Sequence, residues 1–114
     1  MKRLNFYPYY EEYLIAQLKT TTFRMHTPVE IREGQKVMLS IGWNENEARD
    51  VHPALITKIY RKRVCDLVES DFEGESPDCK SPEASMLVLG CIYRTLIRPD
   101  DYITIIKFIH VPST

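Results

Sequence analysis

The chain has 114 residues, of which 44% are hydrophobic and 27% charged, and its formal net charge at pH 7 is −1. That length fits one domain, residues 1–114, and no apolar run approaches the roughly 18 residues of a membrane helix. A near-neutral balance argues against the broad cationic surface of a general nucleic-acid binder. The start MKRLNFYPYYEEY lacks the apolar stretch of a secretory signal, so a cytoplasmic location is expected.

In chain order, Arg3 to Phe6 predicts a short first strand. Pro8 suits the first turn of a helix, with Glu11 and Glu12 toward the positive end of its dipole. Tyr10, Tyr13, Leu14, Gln17 and Leu18 recur at spacings of three and four, which predicts that this helix ends near Leu18. From Thr20 to Met25 the β-branched and aromatic content predicts a strand, with Thr20, Thr22 and Arg24 on one face, looking to water or to a site.

Glu33-Gly34 supplies a turn, and Lys36 to Trp43 then predicts a strand with Val37, Leu39 and Ile41 on one side. The polar segment NENEARD reads as a loop, followed by a long strand from Pro53 to Arg63, apolar at its start and cationic at its end. One helical turn is expected around Glu69 to Glu73. Ser81 as cap and Pro82 at the first helical position open a second helix to about Tyr93, with Met86, Leu89 and Tyr93 toward the core. Asp101 to Val111 is apolar on both sides, as a strand covered on both faces would be. The order implies an α+β fold on a curled sheet or small β-barrel of five to six strands with two to three helices.

Phosphate-binding loops, dinucleotide fingerprints and zinc-protease or serine-hydrolase motifs are absent from the sequence. Cys65, Cys79 and Cys91 fit neither a disulfide framework nor paired zinc spacing, and His26, His52 and His110 are scattered, so no metal or other cofactor is expected. Lys58, Arg61, Lys62 and Arg63 form a basic block beside an acidic one that runs from Asp66 to Asp78. Charge runs of this kind read most simply as solvated faces.

The stretch LKTTTFR, Leu18 to Arg24, carries more. A threonine hydroxyl becomes a nucleophile when a base takes its proton, and a lysine serves as that base when burial or a neighbouring cation disfavours its charge. Lys19, Thr22 and Arg24 are spaced so that a helix-to-strand bend can bring them together. The residues alone leave two readings open and lean to the plainer one, a strand whose threonines serve β propensity.

KTTTFR resembles the K-T-x-T-x-R signature of the ASCH domain, a family in the PUA-like superfamily of small β-barrels associated with RNA and modified nucleosides. The resemblance continues through REGQKVML, ALITKIYRKRVCDLVESDFEGE, the pair Ile92-Tyr93 and YITIIKF, and so spans most of the chain. Small members of that family hydrolyse the amide of N4-acetylcytidine with a lysine, a threonine and a glutamate. By that resemblance Lys19 is the base, Thr22 the nucleophile and Glu75 the proton relay, with Glu73 as the alternative if the acidic turn is displaced. Arg24 and Tyr93 would bind substrate. Family members usually carry glycine two residues before the lysine, where this chain has Gln17.

The resemblance also allows a non-catalytic RNA-binding module, with Lys58, Arg61, Lys62 and Arg63 on phosphate and a tyrosine or Trp43 stacked on a base, or a nuclease of single-stranded RNA. The expected partner is a small nucleoside or RNA, and no membrane.

Overall fold

The computed structural model describes residues 1–28 and 30–111. Among them, five strands form one sheet: β1 (Arg3–Phe6), β2 (Thr21–Arg24), β3 (Lys36–Ile41), β4 (Arg49–Arg63) and β5 (Tyr102–His110), in the order β1-β3-β4-β5-β2. β1 and β3 run parallel, and the other neighbouring pairs are antiparallel. With two α-helices, α1 (Glu11–Ile15) and α2 (Pro82–Tyr93), this is the curled α+β half-barrel that the element order implies. None of the helices is long and apolar enough to cross a membrane among the described residues.

β5 is covered on both faces, as its sequence predicts. Ile106 and Phe108 enter one core with Leu4, Leu14, Val37 and Leu39, whereas Ile103 and Ile105 enter a second with Phe23, Phe72 and Leu89. Alternation along a strand sends successive side chains to opposite faces, so β5 is the shared wall between two apolar layers. The outer strands β1 and β2 are left beside each other at an unclosed seam, where Arg24 Nη2 donates to the Asn5 carbonyl at 2.8 Å.

The first helix is shorter than its spacing predicts. A 3₁₀ turn (Pro8–Tyr10) leads into α1, which stops at Ile15, and Leu18 is 67% exposed. The chain leaves the helix because the N–H groups of Leu18 and Lys19 both turn back to the Tyr13 carbonyl, at 2.8 and 3.2 Å. Gln17 takes φ +60° to make that turn, a conformation glycine adopts without steric cost. β4 also begins earlier than expected, at Arg49, because Arg49 and Asp50 pair with Ile41 and Ser40 beyond a bulge at Val51 of β4. Tyr93 was expected in the core; it is 37% exposed, whereas Leu89 on the same helix is buried and Met86 half-buried.

Between β4 and α2 the chain makes three short 3₁₀ turns, at Val64–Asp66, Glu69–Phe72 and Pro77–Cys79. Buried Asp71 anchors them. It accepts from the Tyr60 hydroxyl (2.6 Å), Lys62 Nζ (2.8 Å) and the Val68 N–H (2.8 Å). Burial pushes its carboxyl up, but the bonds from Lys62, Tyr60 and Val68 outweigh that, and the net shift is downward.

Lys107 fixes the middle of the same segment, donating to the Ser70 carbonyl at 3.1 Å and to Thr21 Oγ1 at 3.0 Å. The Gly74 carbonyl then accepts from the N–H groups of Thr20 (2.8 Å) and Thr21 (3.1 Å), so the acidic segment covers the free edge of β2. Gly74 has φ +80°, and a Cβ built there would lie 1.9 Å from Thr20 Oγ1.

Two backbone predictions of opposite sign follow from these positions. Gln17→Gly should raise unfolding stability by about 0.5–1 kcal/mol, and Gly74→Ala should lower it by at least about 1–2 kcal/mol, both read by urea denaturation at pH 7. Asp71→Ala should cost about 2–4 kcal/mol at pH 7, because it leaves Lys62 and Tyr60 without their acceptor. A carboxyl held low in the folded state adds stability above its unfolded value and loses it on protonation. The gap between wild type and Asp71→Ala should therefore narrow as pH falls below about 4. A gap constant from pH 7 to pH 3 would contradict this account of Asp71.

Candidate functional site

The seam between β1 and β2 opens into a cavity of about 290 Å³. β1 and the residue after it contribute Asn5, Phe6 and Tyr7, and β2 with the preceding bend contributes Lys19, Thr22, Phe23 and Arg24. Tyr10, Glu75, Cys79, Leu89, Ile92 and Tyr93 complete the walls, with Asn44 and Glu45 also on the lining. A half-barrel places a cavity here because its two outer strands converge without pairing.

Lys19 lies at the bend between α1 and β2 and is 3% exposed. Its ammonium is ion-paired with Glu75 Oε1, donates to Ser76 Oγ at 2.9 Å, and sits 4.8 Å from the centre of the Tyr10 ring. Its backbone is held as well. The Lys19 carbonyl accepts from His110 Nε2 at 2.7 Å, which puts the proton of that imidazole on Nε2 and leaves Nδ1 to accept from His52 Nε2 at 2.5 Å. Burial, followed by the neighbouring His110, holds His52 below the usual histidine value.

Glu75 is 5% exposed, and its carboxylate collects three donors. Oε1 takes Lys19 and the Ser76 N–H (2.7 Å), and Oε2 takes the Phe23 N–H (3.1 Å). A carboxylate removed from water needs this number of partners to remain charged. Glu73 is exposed and engages only through its carbonyl, which accepts from Thr21 Oγ1 at 2.5 Å and Lys107 Nζ at 3.4 Å, so Glu75 and not Glu73 reaches Lys19.

Thr22, 4% exposed, shares the cavity with Lys19, but the two are not hydrogen-bonded among the described residues. Thr22 Oγ1 accepts from Arg24 Nε at 3.2 Å, which leaves the hydroxyl proton available to a base in the cavity. The Arg24 guanidinium lies 4.9 Å from the centre of the Phe6 ring and bonds no carboxylate among the described residues. Burial lowers its pKa from the ordinary arginine value, yet a guanidinium remains charged at neutral pH.

Two other titratable groups on the wall are held neutral. Burial, followed by the charges of Glu75 and Asp78, pushes the Cys79 thiol up, so it is no nucleophile at pH 7. Burial and Asp78 likewise push the Tyr10 phenol up.

The residues named from sequence thus separate into two groups. Lys19, Thr22, Arg24, Glu75 and Tyr93 line one cavity, and the Tyr93 hydroxyl accepts from the Met25 N–H at 3.3 Å. Lys58, Arg61, Lys62 and Arg63 are not on its lining. Lys62 is bound by Asp71 and Arg63 by Asp66, whereas Lys58 lies over the Tyr60 ring and Arg61 bonds Thr104 Oγ1 at 3.1 Å.

Sequence reading missed Ser76, Asn5, Tyr10 and the pair Asn44 and Glu45. Ser76 had a visible signal, since it directly follows Glu75. The others are joined to the site only by the fold. No group of three or more histidine, cysteine or acidic side chains gathers as a metal site among the described residues.

No family model and no curated protein sequence matches the chain. Solved structures do. An ASCH domain from Lactobacillus crispatus superposes with a TM-score of 0.66 at 11% identity, covering 96% of this chain and 79% of that one. A DUF984 protein from Enterococcus faecalis superposes with a TM-score of 0.59 at 17% identity, covering 88% of this chain and 68% of that one. Likeness at these identities speaks for the fold alone. In fold, the chain is similar to the ASCH domain.

Proposed function

We propose that the chain is an amidohydrolase of an acylated nucleoside such as N4-acetylcytidine. The observation that carries this reading is the gathering of Lys19, Thr22, Arg24 and Glu75 on one cavity with walls from Phe6, Tyr10 and Leu89. At about 290 Å³ the cavity is at the small end of ligand sites, suited to one nucleoside more than to a chain.

In the proposed reaction, the Lys19 proton first passes to Glu75, its ion-pair partner, which leaves a neutral amine. The Thr22 hydroxyl gives its proton to that amine as Oγ1 bonds the acetyl carbon. The carbonyl oxygen gains negative charge beside Arg24, the cation bonded to Thr22. Collapse of the tetrahedral species breaks the C–N bond, and Lys19 or Glu75 protonates the departing amine. Water then cleaves the acetyl-threonine ester to acetate, with Lys19 again accepting the proton, and Thr22 is restored.

The alternative of an RNA-binding module resting on Lys58, Arg61, Lys62 and Arg63 is weaker, because Asp71 and Asp66 already neutralise two of the four. A nuclease of single-stranded RNA would have to use the same cavity.

Deacetylation of N4-acetylcytidine by the purified protein, followed by absorbance, tests the proposal. Thr22→Val keeps the shape of the side chain and should lower kcat by about 10³-fold, and Glu75→Gln by about 10²-fold. Lys19→Ala should abolish turnover and also lower stability by about 3–5 kcal/mol, since Glu75 is left buried and unpaired. Turnover that survives Thr22→Val would exclude Thr22 as nucleophile. Release of nucleotides from a short RNA in the same assay would favour the nuclease.

A further inference from the structure

The cavity has a buried end and an exposed end, and their charges differ. Lys19, Thr22 and Glu75 are 3–5% exposed, whereas Asn44 and Glu45 are exposed and Tyr93 partly so, which marks these last three as the mouth. Glu45 has no ion-pair partner among the described residues, and neither has Glu47 in the same 3₁₀ turn (Glu45–Glu47). Arg3 lies near enough for the charge of Glu45 to act on it, but both it and Arg49 are bound to other carboxylates. Arg3 is bound to Asp50 at 2.8 Å and Arg49 to Glu11 at 2.5 Å. At the buried end, Lys19 is engaged by Glu75, and Arg24 has Nε on Thr22 and Nη2 on the Asn5 carbonyl.

We propose that Glu45 makes this site selective for a neutral nucleoside over its 5′-phosphate or an RNA chain. The proposal rests on the amidohydrolase reading for the ligand's orientation. With the acyl group at Thr22, the base lies along the apolar walls and the sugar reaches the mouth, beside Glu45. A phosphate on that sugar brings one to two negative charges toward a carboxylate that has no ion-pair partner among the described residues, while Arg3 is bound to Asp50 and Arg24 lies at the buried end on Thr22 and Asn5. A hydroxyl in the same place carries no such penalty. The carboxylate thereby acts on the charge of the ligand without touching the reacting atoms.

Calorimetric binding of cytidine and cytidine 5′-monophosphate at low and high salt tests this, alongside turnover of N4-acetylcytidine and its 5′-monophosphate. Wild type should prefer the nucleoside by at least about tenfold at low salt, and Glu45→Gln should reduce that preference by roughly tenfold. Raising the salt should reduce it as well, because the mouth is open to water. Equal affinity of wild type for the two ligands, a ratio unchanged in Glu45→Gln, or no binding of either ligand would overturn the proposal. A Glu45-dependent preference in binding, without deacetylation, would support it while removing the amidohydrolase chemistry.

Discussion

The ion pair between Lys19 and Glu75 is the contact on which the geometry of the site depends. Both side chains are nearly fully withdrawn from water, and neither tolerates burial without the other. Such a pair contributes little net stability compared with apolar residues of the same shape, yet breaking it costs about 3–5 kcal/mol. Its consequence is positional. Lys19 follows the turn that ends the first helical segment, and Glu75 closes the segment anchored by Asp71, so the pair ties two chain segments far apart in sequence. The same carboxylate also accepts the Phe23 N–H, and this links it to the backbone of β2 next to Thr22.

The open seam of the half-barrel explains why the polar groups collect there. A sheet edge presents N–H and carbonyl groups that need partners, and closing the barrel would satisfy them with another strand. Here the acidic segment takes part of that role through Gly74 and Glu75, and Arg24 reaches across to β1. A closed barrel would fill this space with side chains. The incomplete one leaves a cavity whose walls are apolar core residues such as Phe6 and Leu89, and whose polar groups are those that complete the strand edges. The fold thus supplies both the space and the charges in it.

How much of this was legible in the sequence depended on the range of the interactions. Strands β3 and β5 were readable because alternation and apolar content are local properties, and Val37, Leu39 and Ile41 are buried as their spacing implied. The face of β2 bearing Thr22 and Arg24 was readable for the same reason. The end of the first helix was not, because Leu18 continues the apolar spacing while the backbone turns away at Gln17. Within the site, the choice between Glu73 and Glu75 could not be made by counting. It depends on Gly74, whose positive φ sends one neighbour to solvent and the other to Lys19. Asn44, Glu45 and Tyr10 carried no local signal, since only the meeting of β1, β2 and the β3–β4 turn brings them together.

The arrangement also bears on how a lysine held by a carboxylate can serve as a base. An ammonium bound to Glu75 has no lone pair to offer, so in the proposed reaction the resting pair would be a store for one proton. Moving that proton along the existing bond to Glu75 turns two opposite charges into two neutral groups, which costs less in a dry site than separating them. On that proposal, the flat face of the nucleobase would displace water from the walls, and loss of water favours the neutral pair over the charged one. In the proposed reaction, charge appearing on the acetyl oxygen would have Arg24 beside Thr22 to meet it, and a proton held by Glu75 would be available to the departing amine. The buried pair that organises the fold would in this way supply the proton inventory of the reaction, with the neutral state created only when substrate excludes water.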